Sequence, residues 1–298
     1  MDKVEISLDP VMQGVLALIL MFIMFSVALG LRVEHFRMVA RAPGDVIKGL
    51  LVQVVALPAV TMVFVYLLSL PASIALGLII VASCPGGNVS NFFCKLSHAN
   101  VAYSVTLTAL SSVVAVFMIP ISILFWGGFY APIADLLQSI DLDRGMFLAR
   151  TVVLLGVPLF IGMAVAHKWP DLSDKIQQKA LPASIVLLFA LVLISLTNNA
   201  DLILNYWPAI MGIVTGHNLL AFLLGGTVGR LLLSDRAKRR TLVFEVGLQN
   251  TGLGLVILLS QFKGIGGAAL ITATWGIWHL FTGLALAVFY RQRGEIND

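Results

Sequence analysis

The chain has 298 residues, of which 59% are hydrophobic and only 11% charged. A water-soluble domain carries about 25% charged residues, so this composition excludes an ordinary soluble globule and points to a polytopic membrane protein. The formal net charge of +4 is scattered over short loops rather than gathered in one basic patch, which argues against nucleic acid as a partner.

The first residues, Met1 to Pro10, carry Asp2, Glu5 and Asp9 against Lys3. A secretory signal begins with positive charge, so the first apolar run is expected to be kept as a span. Crossing about 30 Å of hydrocarbon takes about 20 apolar helical residues. Nine runs reach that length: 10–31, 46–70, 72–95, 100–127, 147–168, 178–199, 203–229, 239–262 and 267–290. Their connections are too short for a soluble domain, and each run is continuously apolar rather than alternating, which excludes a β-barrel. Cys84 and Cys94 lie in one apolar segment, where a disulfide would force the segment to fold back on itself; both read as free thiols.

Two of the nine runs are abnormal. The third contains Cys84-Pro85-Gly86-Gly87-Asn88-Val89-Ser90-Asn91, and the eighth contains Glu245-Val246-Gly247-Leu248-Gln249-Asn250-Thr251-Gly252-Leu253-Gly254. Proline costs a helix interior about 3 kcal/mol and glycine about 1, and unwound backbone at membrane depth survives only when buried in protein or lining a cavity. A kinked helix packed through small residues is the bland alternative. Two such segments, both rich in amides and hydroxyls, favour a site. They sit five spans apart, so they cross the membrane in opposite directions, as inverted repeats require. Spans one to four would pair with six to nine, with the fifth as connector.

Lysine and arginine set the orientation. With the N-terminus outside, fifteen of the 19 basic residues fall on the cytoplasmic side: Arg32, Arg37, Arg41, Lys48, Lys95, Lys168, Lys175, Lys179, Arg230, Arg236, Lys238, Arg239, Arg240, Arg291 and Arg293. Lys3, Arg144, Arg150 and Lys263 remain outside, together with the acidic Asp135, Asp141 and Asp143. The expected location is the cell membrane, multi-pass, with the C-terminus cytoplasmic.

Glu245 is the single acidic residue inside a span. A carboxylate at that depth needs a partner or a proton. It either snorkels to Arg239 and Arg240 or binds a cation. The surrounding ligands are oxygens: Ser90, Asn91, Ser104, Thr108, Gln249, Asn250 and freed carbonyls. No His/Cys cluster has metal spacing, so zinc and copper are disfavoured. Neutral oxygens around one carboxylate suit sodium better than calcium, with a proton on Glu245 as the alternative. Ser104 and Thr108 share a helix face but could simply bond the preceding turn; buried Gln53 must find partners for its amide. Half-helix N-termini after Gly87 and Gly252 would attract an anion. His217 and His279 lie mid-span, where a lone histidine more often bonds a neighbouring helix.

Pro85-Gly86-Gly87-Asn88-Val89-Ser90-Asn91 and Glu245-Val246-Gly247-Leu248-Gln249-Asn250-Thr251-Gly252-Leu253 resemble the two crossover motifs of the bile acid:sodium symporter family. The resemblance extends to the span count and to the Gly30–Phe36 end of the first span. It implies an all-α fold of inverted repeats with two crossed discontinuous helices. A core (about 46–127 and 203–290) would rock against a panel (about 10–31 and 147–199). Many bacterial members have ten spans; a nine-span chain resembles the animal members. One sodium site would comprise Ser90, Asn91, Ser104, Thr108 and Glu245. A second would comprise Gln53, Glu245, Gln249 and the carbonyls of Val246 and Leu248. Asn88, Asn250 and His279 would contact substrate, Asn88 standing where relatives often carry Thr. No cofactor beyond the coupling ion is implied. The expected partners are sodium, a small organic anion and the lipid bilayer, with the protein a monomer.

The expected function is import of an organic anion, whether bile-acid-like or a small carboxylate or sulfonate, coupled to sodium. The rival on the same scaffold is a proton-coupled exporter of a metabolite or of arsenite, which Cys84 beside Pro85 invites. An intramembrane enzyme is disfavoured, since neither a His-Glu-x-x-His motif nor a pair of membrane aspartates is present.

Overall fold

The computed structural model describes residues 10–32, 34, 36, 39, 42–198, 200–262 and 265–293. The acidic N-terminal stretch, Lys3, Arg37, Arg41 and Lys263 of the charge distribution, and Val33 and His35 of the motif after the first span lie outside the described residues.

Among the described residues every regular element is a helix. The first apolar run forms α1, Pro10–Ala28. The second begins as α2, Pro43–Leu51, widens into a π turn at Val52–Ala56, and continues as α3, Leu57–Leu68. The turn sits just before Pro58, whose missing N–H breaks the regular ladder; the Leu57 amide reaches back five residues to Val52 instead. The third run is split into α4, Ala72–Ser83, and α5, Asn88–Leu96. Then come α6, Val101–Gly128, and a short α7, Ala131–Ser139. Next are α8, Arg144–Lys168, α9, Pro170–Asn198, and α10, Ala200–Leu232. The eighth run is split into α11, Arg236–Gly247, and α12, Thr251–Gln261, and α13, Gly266–Gln292, closes the chain.

Among the described residues, five segments are long and apolar enough to cross a membrane: Pro43–Leu68, Val101–Gly128, Arg144–Lys168, Tyr206–Leu232 and Gly266–Gln292. Gly14–Ala28, Ala72–Ser83 and Thr251–Gln261 are shorter apolar helices; the last two belong to the split runs, and neither half of a split run has crossing length. Leu18, Leu67 and Phe281 are more than 60% exposed, an arrangement that lipid rather than water tolerates. The protein is an all-helical membrane protein. Helix α7 falls in the acidic connection that holds Asp135; Pro132 near its start supplies a pre-set φ for a helical first turn.

Packing places the two split runs at the centre. Helix α4 is buried along its whole length and packs against α13, α6 and α12; α11 packs against α10. Gly77 meets Ala268 and Ile271 of α13 so closely that no Cβ fits between them. Helix α1 packs on α8, α9 and α12. Both cysteines are buried thiols.

Candidate functional site

Each split run is unwound over a few residues: Cys84–Gly87 between α4 and α5, and Leu248–Asn250 between α11 and α12. The two unwound stretches pair with each other. Gly86 and Gln249 form an antiparallel bridge, the Gly87 amide donates to the Leu248 carbonyl at 3.2 Å, and the Asn250 amide donates to the Pro85 carbonyl at 2.9 Å. Backbone groups freed by the helix breaks thus satisfy one another, as buried backbone must.

Glu245 lies at the end of α11 beside this pairing and is fully buried. It meets neither Arg239 nor Arg240: Arg239 bonds the Leu233 carbonyl and Arg240 the Ser97 carbonyl. Four neutral side chains surround it instead. Ser90 and Ser104 hydroxyls donate to Oε1 at 2.5 and 2.6 Å. The Thr108 hydroxyl lies 3.1 and 3.2 Å from the two carboxylate oxygens. Gln53 Nε2 donates to Oε2 at 3.1 Å and to the Glu245 carbonyl at 3.0 Å. Asn91 Oδ1 faces Ser104 Oγ at 2.8 Å and Thr108 Oγ1 at 3.5 Å. Ser90 also lies 2.7 Å from the Gly87 carbonyl. Three hydroxyl protons therefore face the Glu245 carboxylate, the Asn91 amide oxygen and the Gly87 carbonyl, so acceptors outnumber donors. Such a surplus of converging oxygen lone pairs suits a hard cation.

The second group adds a further deficit. Gln249 Nε2 donates to the carbonyls of Val246, at 2.8 Å, and Glu245, at 3.3 Å. The Oε1 atoms of Gln53 and Gln249 are both buried with no hydrogen-bond partner. A buried acceptor left unpaired costs about 1–3 kcal/mol, and two beside one carboxylate form a cation-seeking arrangement. The amides can also turn over, because their O and N ends differ little in shape. The Leu248 carbonyl, expected in the same set, already accepts from Gly87. Gly86 presses against the group: a Cβ there would lie 2.7 Å from Glu245 Oε2 and 3.1 Å from Gln53 Nε2. Among the described residues no three His, Cys, Asp or Glu side chains gather as a metal cluster.

Asn88, Asn250 and His279 border one cavity of about 380 Å3. Gly87, Val89, Thr251 and Gly252 line it too, so the starts of α5 and α12 both face it. First-turn N–H groups lack intrahelical partners. Gly87 offers no side-chain cap to α5, whereas Asn250 Oδ1 caps the Leu253 amide at 3.2 Å. A bound anion would therefore meet the NH2 end of Asn250. Ile23, Val27, Phe92, Leu255, Ile277 and Leu280 supply the apolar walls. A second cavity of about 280 Å3 reaches Asn91 and Thr108 and shares Val27 and Asn88 with the first.

One contributor escaped the sequence reading. Buried Asn218 donates to the Gly247 carbonyl at 2.9 Å and accepts from the Thr282 hydroxyl at 2.6 Å, tying α10 and α13 to the end of α11. Its signal was the adjacent polar pair His217-Asn218 inside an apolar run.

A sequence model of the sodium bile acid symporter family matches residues 17–206, well over half of the chain. The chain belongs to that family. Its similarity to individual members extends beyond the matched region and across the second helix break. The protein named as the uncharacterized sodium-dependent transporter YocS of Bacillus subtilis is 28% identical over 287 residues, 96% of this chain and 86% of that protein. The probable sodium/metabolite cotransporter BASS2 of rice chloroplasts is 29% identical over 93% of this chain, which spans 64% of the plant protein. The human ileal sodium/bile acid cotransporter is 26% identical over 86% of this chain and 72% of its own length. These three relatives are named as transporters, which agrees with a membrane transport role for a helical protein of this composition.

Proposed function

We propose that the protein is a sodium-coupled symporter that imports an organic anion across the cell membrane by alternating access. The observation that carries this reading is the oxygen-rich ring around Glu245, with two orphaned amide oxygens beside it, next to a cavity facing two helix N-termini. One sodium ion sits among Ser90, Asn91, Ser104, Thr108 and Glu245. A second sits among Gln53, Glu245, Gln249 and the Val246 and Leu248 carbonyls. The anion occupies the cavity bordered by Asn88, Asn250 and His279, where first-turn N–H groups and the positive ends of two half-helices face it. Two sodium ions and one carboxylate leave a net charge of +1, and the anion restores neutrality. Each ligand therefore raises the other's affinity, which is coupling in the thermodynamic sense.

The architecture in this reading is nine spans, outward N-terminus, inverted repeats, and two discontinuous helices crossing at the paired breaks. The antiparallel contact between Gly86 and Gln249 supports the crossing. The mutual packing of α1, α8 and α9 supports a panel that moves as a unit against the remaining helices. At one end that panel meets α12 through Phe147 against Phe262, with ring centroids 5.0 Å apart. Gln261 Nε2 donates to Thr151 Oγ1 there, at 2.9 Å. With the N-terminus outward, this contact lies at the outer end of the panel, where it would serve as part of an outer gate. A protonated Glu245 has a single O–H to donate, so in a proton-coupled exporter at most one of the two orphaned amide oxygens of Gln53 and Gln249 gains a partner, whereas a bound cation can be shared by both.

The test is uptake by proteoliposomes containing the purified protein. An inward sodium gradient should drive accumulation of organic anions, with taurocholate and small carboxylates as probes. Equal accumulation with potassium in place of sodium, or accumulation that follows only a pH gradient, contradicts the reading.

A further inference from the structure

His217 on α10 is fully buried, yet the symport scheme leaves it no task. Both of its ring nitrogens are engaged. The Trp275 indole Nε1–H donates to Nδ1 at 3.0 Å, and Nε2 lies 2.8 Å from Thr61 Oγ1. An indole N–H can only donate, so Nδ1 is bare and the proton sits on Nε2. The single Thr61 hydroxyl proton goes to the Leu57 carbonyl at 2.8 Å, which leaves the Thr61 oxygen to accept from Nε2–H. One neutral tautomer satisfies every group. The edge of Phe64 packs on the same imidazole, with centroids 5.7 Å apart.

Trp275 is also fully buried, and its ring stacks on that of His279 at 5.0 Å with 23° between the planes. The His279 Nδ1–H donates to the Trp275 carbonyl at 3.0 Å, so only Nε2 is left to meet a molecule in the cavity that His279 borders. A rigid sequence of contacts thus runs from α3 through α10 to the cavity wall: Thr61, His217, Trp275, His279.

We infer that His217 is a positioning residue for the substrate cavity, which through the Trp275 indole sets the plane in which His279 faces the bound anion. This rests on the reading of that cavity as the anion site. Removing the Trp275 N–H acceptor frees the indole to turn, and the imidazole stacked on it loses its fixed plane. An aliphatic substitution at 217 deletes the acceptor. Asparagine restores it, since its Oδ1 falls near the position of Nδ1.

The experiment uses the full chain in sodium-containing detergent solution, with diethyl pyrocarbonate as a probe of His279 Nε2 and peptide mass mapping as the readout. In His217→Leu the modification rate of His279 should change at least threefold from wild type, while in His217→Asn it should stay within twofold. Trp275→Phe should reproduce the His217→Leu rate, and the double variant should add nothing further, as partners in one interaction do. In parallel, sodium-driven taurocholate uptake by His217→Leu should show a KM raised roughly twofold to tenfold at unchanged maximal rate. A folded His217→Leu protein, checked by its melting temperature, with wild-type His279 reactivity overturns the inference. So does an Asn variant that behaves like the Leu variant. Absence of taurocholate uptake by the wild type counts against that anion as substrate, and the modification arm still decides the role of His217. If His279 resists the reagent in wild type and in every variant, it does not face an open cavity, and both the site reading and the inference fail.

Discussion

Replacing Glu245 by glutamine removes the negative charge with little change of shape. The amide keeps an acceptor oxygen for the Ser90, Ser104 and Thr108 hydroxyls, and its NH2 group falls opposite Gln53 Nε2, where turning over the Gln53 amide restores a donor–acceptor pair. What disappears is the negative charge. Opposite unit charges about 4 Å apart at an effective dielectric constant of about 20 attract by about 4 kcal/mol, close to a thousandfold in affinity. Both proposed cations share this carboxylate, so half-saturating sodium should rise by two to three orders of magnitude and sodium-driven uptake should vanish at ordinary sodium concentrations. Glu245→Ala should be equally insensitive to sodium but less stable. It strips the acceptor from several buried donors at about 1–3 kcal/mol each, and its melting temperature should fall while that of Glu245→Gln stays near wild type. The assays are uptake by proteoliposomes and sodium-dependent thermal stabilisation of the purified protein. A Glu245→Gln protein with wild-type sodium dependence would refute the reasoning.

Gln53→Leu and Gln249→Leu remove the orphaned amide oxygens and should lower the Hill coefficient for sodium from about 2 to about 1, read from initial uptake rates against sodium. Gly86→Ala would place a methyl group 2.7 Å from Glu245 Oε2. We expect a folded protein, destabilised by about 1–3 kcal/mol, in which sodium-stimulated uptake is lost; melting curves beside uptake check both halves. Asn218→Leu leaves the Gly247 carbonyl without its side-chain donor and removes the acceptor of the Thr282 hydroxyl, which falls back on the Trp278 and His279 carbonyls. It should destabilise the protein by about 1–3 kcal/mol, seen as a lower melting temperature.

The apolar runs and the two breaks were legible because they depend on local chemistry: long hydrophobic runs, then Pro-Gly-Gly or Gly next to amides where a helix cannot continue cheaply. The same holds for Glu245, whose isolation in an apolar run is visible at once. Other features depend on approach in space and leave little trace in order along the chain. Ser90 and Ser104 meet one carboxylate oxygen from two different helices, and nothing in their spacing distinguishes them from hydroxyls that bond the preceding turn, as Ser112 does to Thr108. The π turn that carries Gln53 is a small shift of hydrogen-bond register with Pro58 as its single outward sign. Asn218 sits in an ordinary apolar helix, and its importance comes from the carbonyl that the break in the neighbouring run leaves free. The mid-span position of His217 predicts a helix–helix hydrogen bond, which describes its contacts with Thr61 and Trp275 but not where that contact leads.

The central claim is that sodium at Glu245 and an anion at the paired helix N-termini reinforce each other. It is tested most directly by measuring anion affinity for the purified protein at saturating sodium and again with potassium in its place, together with sodium affinity with and without the anion. The account predicts that sodium tightens anion binding at least tenfold and that the anion tightens sodium binding by the same factor. Anion affinity that is the same in both salts would contradict it.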